Sequence, residues 1–158
     1  MNKTVLLVLC ILVTVSIGFI GGLFTAGNVN GWYTTIRRPS WNPPNSVFGP
    51  VWTLLYVLMG VAIFLVIKDK PFDSIRKTAV IFFAIQLILN FCWSIIFFAK
   101  HQPGLAFGEI VILWIFILLT IFAFARINTT AAWLLVPYIS WVSFAAILNF
   151  SIWQLNKP

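Results

Sequence analysis

Large aromatic side chains recur along the chain at helical spacing, and they are the residues most able to do chemistry. Phe48, Trp52 and Tyr56 follow one another at intervals of four, so a helix places them on one face. Two further stripes, over residues 86–97 and 138–152, mix rings with amides and hydroxyls. Aromatic walls stack on flat molecules, and a few polar groups orient them. The pattern predicts a site for a planar, hydrophobic small molecule.

The polar members of these stripes are predicted to face inward, because an unpaired amide is costly against lipid. Asn149 is either the hydrogen-bond partner of Asn90 or a second arm of the site. Gln86 and Asn90 either line the site or hold helices together through amide hydrogen bonds. The two stripes comprise Gln86, Asn90, Trp93, Ser94 and Phe97, then Tyr138, Trp141, Ala145, Leu148, Asn149 and Ile152.

Other kinds of chemistry lack their residues. The chain has only three acidic residues and one histidine, and it has no phosphate-binding glycine loop, catalytic triad or HExxH motif. Hydrolases and ion pumps are therefore excluded, and we predict no metal site and no resident cofactor. A haem iron needs an axial His, Cys, Met or Tyr. The stripes offer only Tyr56 and Tyr138, so a metal-free ring is the better ligand.

The elements that position the stripes must be membrane helices. Of the 158 residues, 61% are hydrophobic and 8% are charged, with a mean hydropathy of +1.03, whereas soluble domains have about 25% charged residues. A membrane-spanning helix needs about 20 apolar residues, and barrel strands would alternate instead. The sequence predicts an all-α membrane protein with one five-helix transmembrane domain over residues 1–158. Its predicted spans are 5–26, 48–67, 79–99, 104–125 and 131–155.

The connection between the first two spans, residues 27–47, is predicted to fold as a cap on the bundle. A segment this rich in rings and prolines is a poor candidate for disorder, and long loops in compact domains are usually functional. The alternative is an interfacial segment whose rings lie at the level of the lipid headgroups. The connection contains Trp32, Tyr33, Pro39, Trp41, Pro43 and Pro44.

Helix geometry gathers the aromatic and polar side chains below this cap. A rise of about 1.5 Å per residue places most of them within roughly 15 Å of the capped membrane face, with Trp141 near the midplane. We therefore expect a largely apolar cavity under the cap. The side chains closest to the capped face are Trp52, Tyr56, Asn90, Trp93 and Asn149.

Charged residues lie mostly between the spans. Net charge +7 is therefore interpreted as topogenic and lipid-facing charge rather than as a nucleic-acid surface. Glu109 is the one ionisable residue inside a span, and an ion pair with a cation of the capped face, or snorkelling, is the favoured interpretation over a functional site. The cations of that face are Arg37, Arg38, Lys100 and Lys157, with His101 predicted to be solvated beside them. The opposite face has Lys3, Lys68, Lys70, Arg76, Lys77 and Arg126, and this excess favours a cytoplasmic N-terminus.

A stripe of small residues on the first span is predicted to be a helix-packing surface, because small side chains let backbones approach closely in lipid. It packs either within one protomer or across a dimer interface. The stripe consists of Thr14, Gly18, Gly22 and Ala26.

These residues resemble the tryptophan-rich sensory protein or translocator protein family (TspO/MBR), also called peripheral-type benzodiazepine receptors. The resemblance covers nearly the whole chain. It rests on Trp32-Tyr33, Pro39-Ser40-Trp41-Asn42-Pro43-Pro44, the segment 48–56, Gln86, Leu89-Asn90, Trp93-Ser94, Pro137-Tyr138, Trp141, Leu148-Asn149 and the segment 153–156.

The resemblance implies an integral membrane protein, in the bacterial plasma membrane, that forms a homodimer. It implies binding of porphyrins and of isoquinoline-carboxamide or benzodiazepine ligands under the first loop, with light- and oxygen-dependent porphyrin degradation or a stress-response role. Transport of porphyrins is the alternative. The ligand-lining residues it implies are Tyr33, Trp41, Pro43, Trp52, Tyr56, Asn90, Trp93, Trp141, Phe144 and Ala145.

Within that set, the resemblance implies that Trp52 and Trp141 face the tetrapyrrole as the catalytic pair. Arg37 and Arg38 would meet its propionates as charge-assisted donors. The sterol-recognition pattern of animal members needs Lys or Arg within about five residues after the Tyr of the fifth span. No cation follows Tyr138 in that window, so sterol binding is not predicted.

Overall fold

The computed structural model describes residues 2–69 and 73–157, and within these residues the predicted all-α fold with five membrane-spanning units is confirmed. Lys70, which contributed to the predicted charge asymmetry, lies outside the described residues. The helices are α1 (Lys3–Val29), α2 (Trp32–Thr35), α3 (Asn45–Ile67), α4 (Ser74–Ser94, continued by a π-helical segment Ile95–Ala99), α5 (Pro103–Ala125), α6 (Thr129–Leu134) and α7 (Val136–Leu155).

The helix starts follow local sequence. Side-chain oxygens of Asn2, Asp73 and Asn128 accept hydrogen bonds from backbone N–H groups in the first turns of α1, α4 and α6, which satisfies donors that have no partner within the helix. Pro103 opens α5, where its missing N–H costs nothing. Pro137 in the first turn of α7 explains why the fifth span is two helices rather than one.

The helices form a closed ring in the order α1, α3, α7, α5, α4. Helix α1 packs on α3 and on the end of α4, α5 packs between α4 and α7, and α6 joins α3 to α5. Ring contacts between Phe48 and Trp141 and between Trp52 and Tyr138 link α3 to α7. The predicted faces of α3, α4 and α7 therefore meet inside the ring.

Small residues bring α1 and α3 together in the half of the bundle away from the cap. A Cβ atom at Gly60 would lie 2.6 Å from the Cα of Ile11. The Thr14 hydroxyl donates to the Tyr56 carbonyl at 2.8 Å, and Gly18 lies directly against the Tyr56 ring. Thr14 and Gly18, half of the predicted stripe, thus pack within one protomer.

Candidate functional site

A cavity of about 660 Å³ lies between α1, α3, α4 and α7, directly under the connection between α1 and α3. Its volume falls within the range of about 300–1,000 Å³ that is usual for small-molecule sites. Its walls are mostly aromatic and aliphatic. They include Tyr33, Phe48, Trp52, Tyr56, Asn90, Trp93, Phe97, Trp141, Phe144 and Ala145.

Two of the residues predicted to line the ligand site lie outside this cavity. Trp41 is 46% exposed, and its ring centroid lies 5.8 Å from that of Phe144, a wall residue. Pro43 lines a separate groove on the outer side of the cap. The other eight predicted residues line the cavity itself.

A chain of buried hydrogen bonds anchors the cavity floor. The Tyr56 hydroxyl donates to the Asn90 side-chain oxygen, and the Asn90 nitrogen donates to the Tyr138 hydroxyl at 2.9 Å. Tyr138 in turn donates to the side-chain oxygen of Gln86 at 2.8 Å. Asn90 thus both lines the cavity and joins helices, whereas Gln86 only joins helices. The alternative in which Asn149 bonds to Asn90 is wrong.

Asn149 instead orients an indole of the wall. The Trp93 N–H donates to the Asn149 oxygen at 3.0 Å, and the Asn149 nitrogen donates to the Pro103 carbonyl at 2.7 Å. On its other side Trp93 stacks on Phe97, with ring centroids 5.2 Å apart. The contacts join α4, α7 and α5, so the Trp93 ring is fixed before any ligand arrives.

Trp52 and Trp141 are held by rings rather than by polar contacts. Trp52 lies 5.8 Å from Tyr56, and Trp141 lies 6.2 Å from Phe48, measured between ring centroids. Neither indole N–H has a hydrogen-bond partner among the described residues. Both side chains are half-buried cavity walls, so each can offer a stacking face and a donor to a ligand.

The cap is folded, as predicted, around Tyr33. This side chain is 2% exposed and donates its hydroxyl to the Asn42 oxygen at 2.6 Å. Burial raises the pKa of the Tyr33 hydroxyl to about 12, although the charge of Arg38 lowers it. Since a group with a raised pKa keeps its proton below that value, Tyr33 remains a donor at neutral pH. Asn156 ties the cap to the end of α7 through the backbone N–H and carbonyl of Arg37, at 3.0 and 2.8 Å.

The cavity opens sideways between the capped ends of α1 and α3. Its wall there is made of exposed small residues and Leu23, which is 60% exposed. A Cβ atom at Gly22 would meet nothing within 4 Å. The sequence analysis missed this wall, because its signal, the small-residue stripe, was interpreted as packing alone. The small residues are Gly22 and Ala26 of α1 with Gly49 and Thr53 of α3.

The predicted ion pair of Glu109 is wrong. Both of its carboxylate oxygens are buried and lack a hydrogen-bond partner among the described residues, because its position on α5 faces the bundle rather than the cap. His101 is exposed as predicted, but it is also held in place. Its ring stacks on Trp32 with centroids 4.3 Å apart, and its Nε2 lies 3.0 Å from the Asn28 oxygen.

Comparison with known proteins decides the family. The family model described as TspO/MBR matches residues 10–154. The chain belongs to the TspO/MBR family. This TspO/MBR protein is 48% identical to the tryptophan-rich protein TspO of Chlorobaculum tepidum over 157 residues, which cover 99% of each chain. It is 41% identical to that of Archaeoglobus fulgidus, covering 95% of this chain and 96% of the relative.

A more distant TspO/MBR relative is the human translocator protein, with 36% identity covering 87% of this chain and 82% of the relative. The five apolar helices and these relatives together make this TspO/MBR chain an integral membrane protein. The family resemblance on which the sequence analysis relied is therefore confirmed.

The hydrogen-bond chain of this TspO/MBR protein gives a first prediction. Replacing Asn90→Leu leaves the Tyr56 hydroxyl buried without its acceptor, so we expect the free energy of unfolding to fall by about 1–3 kcal/mol. Thermal unfolding in detergent, followed by circular dichroism, measures this. Tyr56→Phe removes the stranded hydroxyl, so the double variant should lose less than the sum of the two single losses. Additive losses would show that the two side chains are not coupled.

Proposed function

We propose that the protein is a membrane receptor for porphyrins, which also accepts isoquinoline-carboxamide and benzodiazepine ligands, and that it degrades bound porphyrin in light and oxygen. The observation that carries this proposal is the cavity of about 660 Å³ whose walls include Trp52, Trp93 and Trp141. A roofed, aromatic-walled space inside a membrane bundle suits a flat hydrophobic ring.

Stacking provides the binding energy in this proposal. Indole faces pair with flat aromatic systems with about 0.5–1.5 kcal/mol beyond simple burial of area, and the Trp93 ring is already oriented by Asn149. Asn90 is the polar group at the cavity floor that can contact a ring nitrogen. A preorganised wall loses little conformational entropy when the ligand binds.

The photochemical part of the proposal assigns Trp52 and Trp141 as the catalytic pair. Indole is readily oxidised, so it can exchange an electron with a light-excited macrocycle in contact with it. Dioxygen is the oxidant, and the macrocycle is the molecule oxidised. The free N–H groups and half-buried faces of the two indoles support this assignment.

Binding is tested by titrating protoporphyrin against the intrinsic tryptophan fluorescence of the purified protein. We expect saturable quenching, and Trp93→Leu should weaken the affinity about threefold to tenfold, because one stacking partner is lost. Trp133→Leu is the matched control, since Trp133 is 68% exposed on α6 and is not a cavity wall. Quenching that never saturates, or equal losses in the two variants, would contradict the proposed site.

The lateral opening between α1 and α3 favours transport as a second candidate function. A ligand that enters from the bilayer has a path into the cavity past Gly22 and Leu23. Porphyrin flux across sealed vesicles that depends on Asn90 and Trp93 would support transport. Equal flux in protein-free vesicles would exclude it.

We also propose a homodimer and a cytoplasmic N-terminus. The exposed apolar residues of α1, such as Phe19 at 68% exposure, are consistent with either lipid or a second copy. Cross-linking in native membranes tests the first proposal. Labelling of single cysteines in intact cells tests the second.

A further inference from the structure

Arg38 is a cation held in place without an anion. Its guanidinium carbon lies 5.2 Å from the centre of the Tyr33 ring, and the side chain is half-buried. Among the described residues, no carboxylate and no hydrogen-bond acceptor contacts this guanidinium. An arginine fixed over a ring has already lost much of its conformational freedom, so it pays less to bind an anion.

The described residues supply no carboxylate to this face of the protein. Asp69 pairs with Lys3 at 2.9 Å, and Asp73 caps α4, both at the membrane face opposite the cap. Glu109 is buried in α5 and forms no ion pair. Any anion that meets Arg38 must therefore come from another molecule.

The surroundings of Arg38 form a built groove rather than an open surface. The groove has a volume of about 620 Å³, and side chains of Thr34, Asn42 and Asn45 lie in its wall with Arg38. Amide and hydroxyl groups beside a guanidinium are a donor set that suits the oxygens of a carboxylate.

The groove and the aromatic cavity are neighbours with shared walls. Asn45 lines both of them, where its side-chain nitrogen donates to the Val29 carbonyl at 3.0 Å. Tyr33, whose ring carries the guanidinium, is also a wall of the cavity. A molecule in the cavity thus lies one side chain away from Arg38.

We infer that this groove is the subsite for a carboxylate arm of the molecule whose planar body occupies the cavity, with Arg38 as the anion-binding residue. The inference rests on the proposed function and narrows its substrate class to planar hydrophobic rings that bear acidic side arms. Arg37, by contrast, is exposed and does not line the groove. A lipid phosphate shares the oxyanion chemistry and is the competing source.

The test compares protoporphyrin with its dimethyl ester, which has the same ring but no carboxylate, in nanodiscs of zwitterionic lipid. We expect the diacid to bind wild-type protein about tenfold more tightly than the ester, since a charge-assisted hydrogen bond is stronger than a neutral one. Arg38→Gln should remove this preference while ester binding stays unchanged. Lys100→Gln is the control, because it removes one charge from the same face outside the groove.

The outcomes separate this inference from the proposed function. Saturable binding of both porphyrins with no preference in wild type, or an equal loss in both variants, would overturn the carboxylate subsite and leave the porphyrin receptor in place. Absence of saturable binding for both would overturn both proposals. If anionic lipid weakens diacid binding to wild type but not to Arg38→Gln, lipid phosphate competes for the site, which supports an oxyanion site at Arg38. A lipid effect equal in both proteins would contradict it.

Discussion

Phenylalanine at both Trp52 and Trp141 is expected to abolish light-driven porphyrin degradation while the porphyrin still binds. A phenyl ring keeps the apolar contact with the ligand, and it also keeps contact with the neighbours Tyr56 and Phe48. It is far harder to oxidise than indole, so the electron exchange proposed for the excited ring is lost. We expect the rate of product formation to fall at least tenfold, corresponding to about 1.4 kcal/mol or more in the barrier.

The measurement is the absorbance of the product formed when protoporphyrin and purified protein are illuminated in air. Trp133→Phe combined with Trp153→Phe is the matched control, because it removes two indoles that are not cavity walls. Dark samples and samples without oxygen should give no product. If the Trp52/Trp141 double variant forms product at the wild-type rate, the two indoles have no chemical role.

Alanine at Gly60 is expected to be among the most destabilising single methyl additions in the bundle. Its Cβ would lie 2.6 Å from the Cα of Ile11, and a backbone atom cannot rotate away as a side chain can. Helix α1 must therefore move off α3, which strains the Thr14 hydrogen bond to the Tyr56 carbonyl. We expect a loss of about 1–3 kcal/mol or more in the free energy of unfolding, the usual cost of overpacking.

Gly108→Ala provides the control for that experiment. A Cβ at Gly108 would meet nothing within 4 Å, and alanine is the better helix former in an exposed position. The melting temperature in detergent should therefore fall for Gly60→Ala and stay level or rise for Gly108→Ala. Equal melting temperatures for the two variants would show that α1 and α3 separate without cost.

The sequence predicts the fold well because the physics of the bilayer acts along the chain. An apolar segment of sufficient length can do little except cross as a helix, so the five spans follow from composition. The ends are less certain, since helix termini depend on local contacts. Asn45 begins α3 three residues before the predicted start at 48, and Pro137 divides the last span at Leu135.

The candidate site is predictable only where spacing along one helix decides the answer. The stripe of Phe48, Trp52 and Tyr56 lies on the cavity because a helix has no other way to arrange it. Partners between helices depend on rotation and depth, which the sequence does not specify. Asn149 therefore bonds to Trp93 rather than to Asn90, and Glu109 has no cation beside it.

The unequal contact between α1 and α3 has a consequence for supply of the ligand. The helices touch at Gly60 and Gly18 and separate at Gly22, so the gap lies within roughly 15 Å of the capped membrane face. Only one leaflet of the bilayer borders that gap. A guest dissolved in the other monolayer must flip across before it can load, so the rate of filling follows the guest's distribution between the two leaflets.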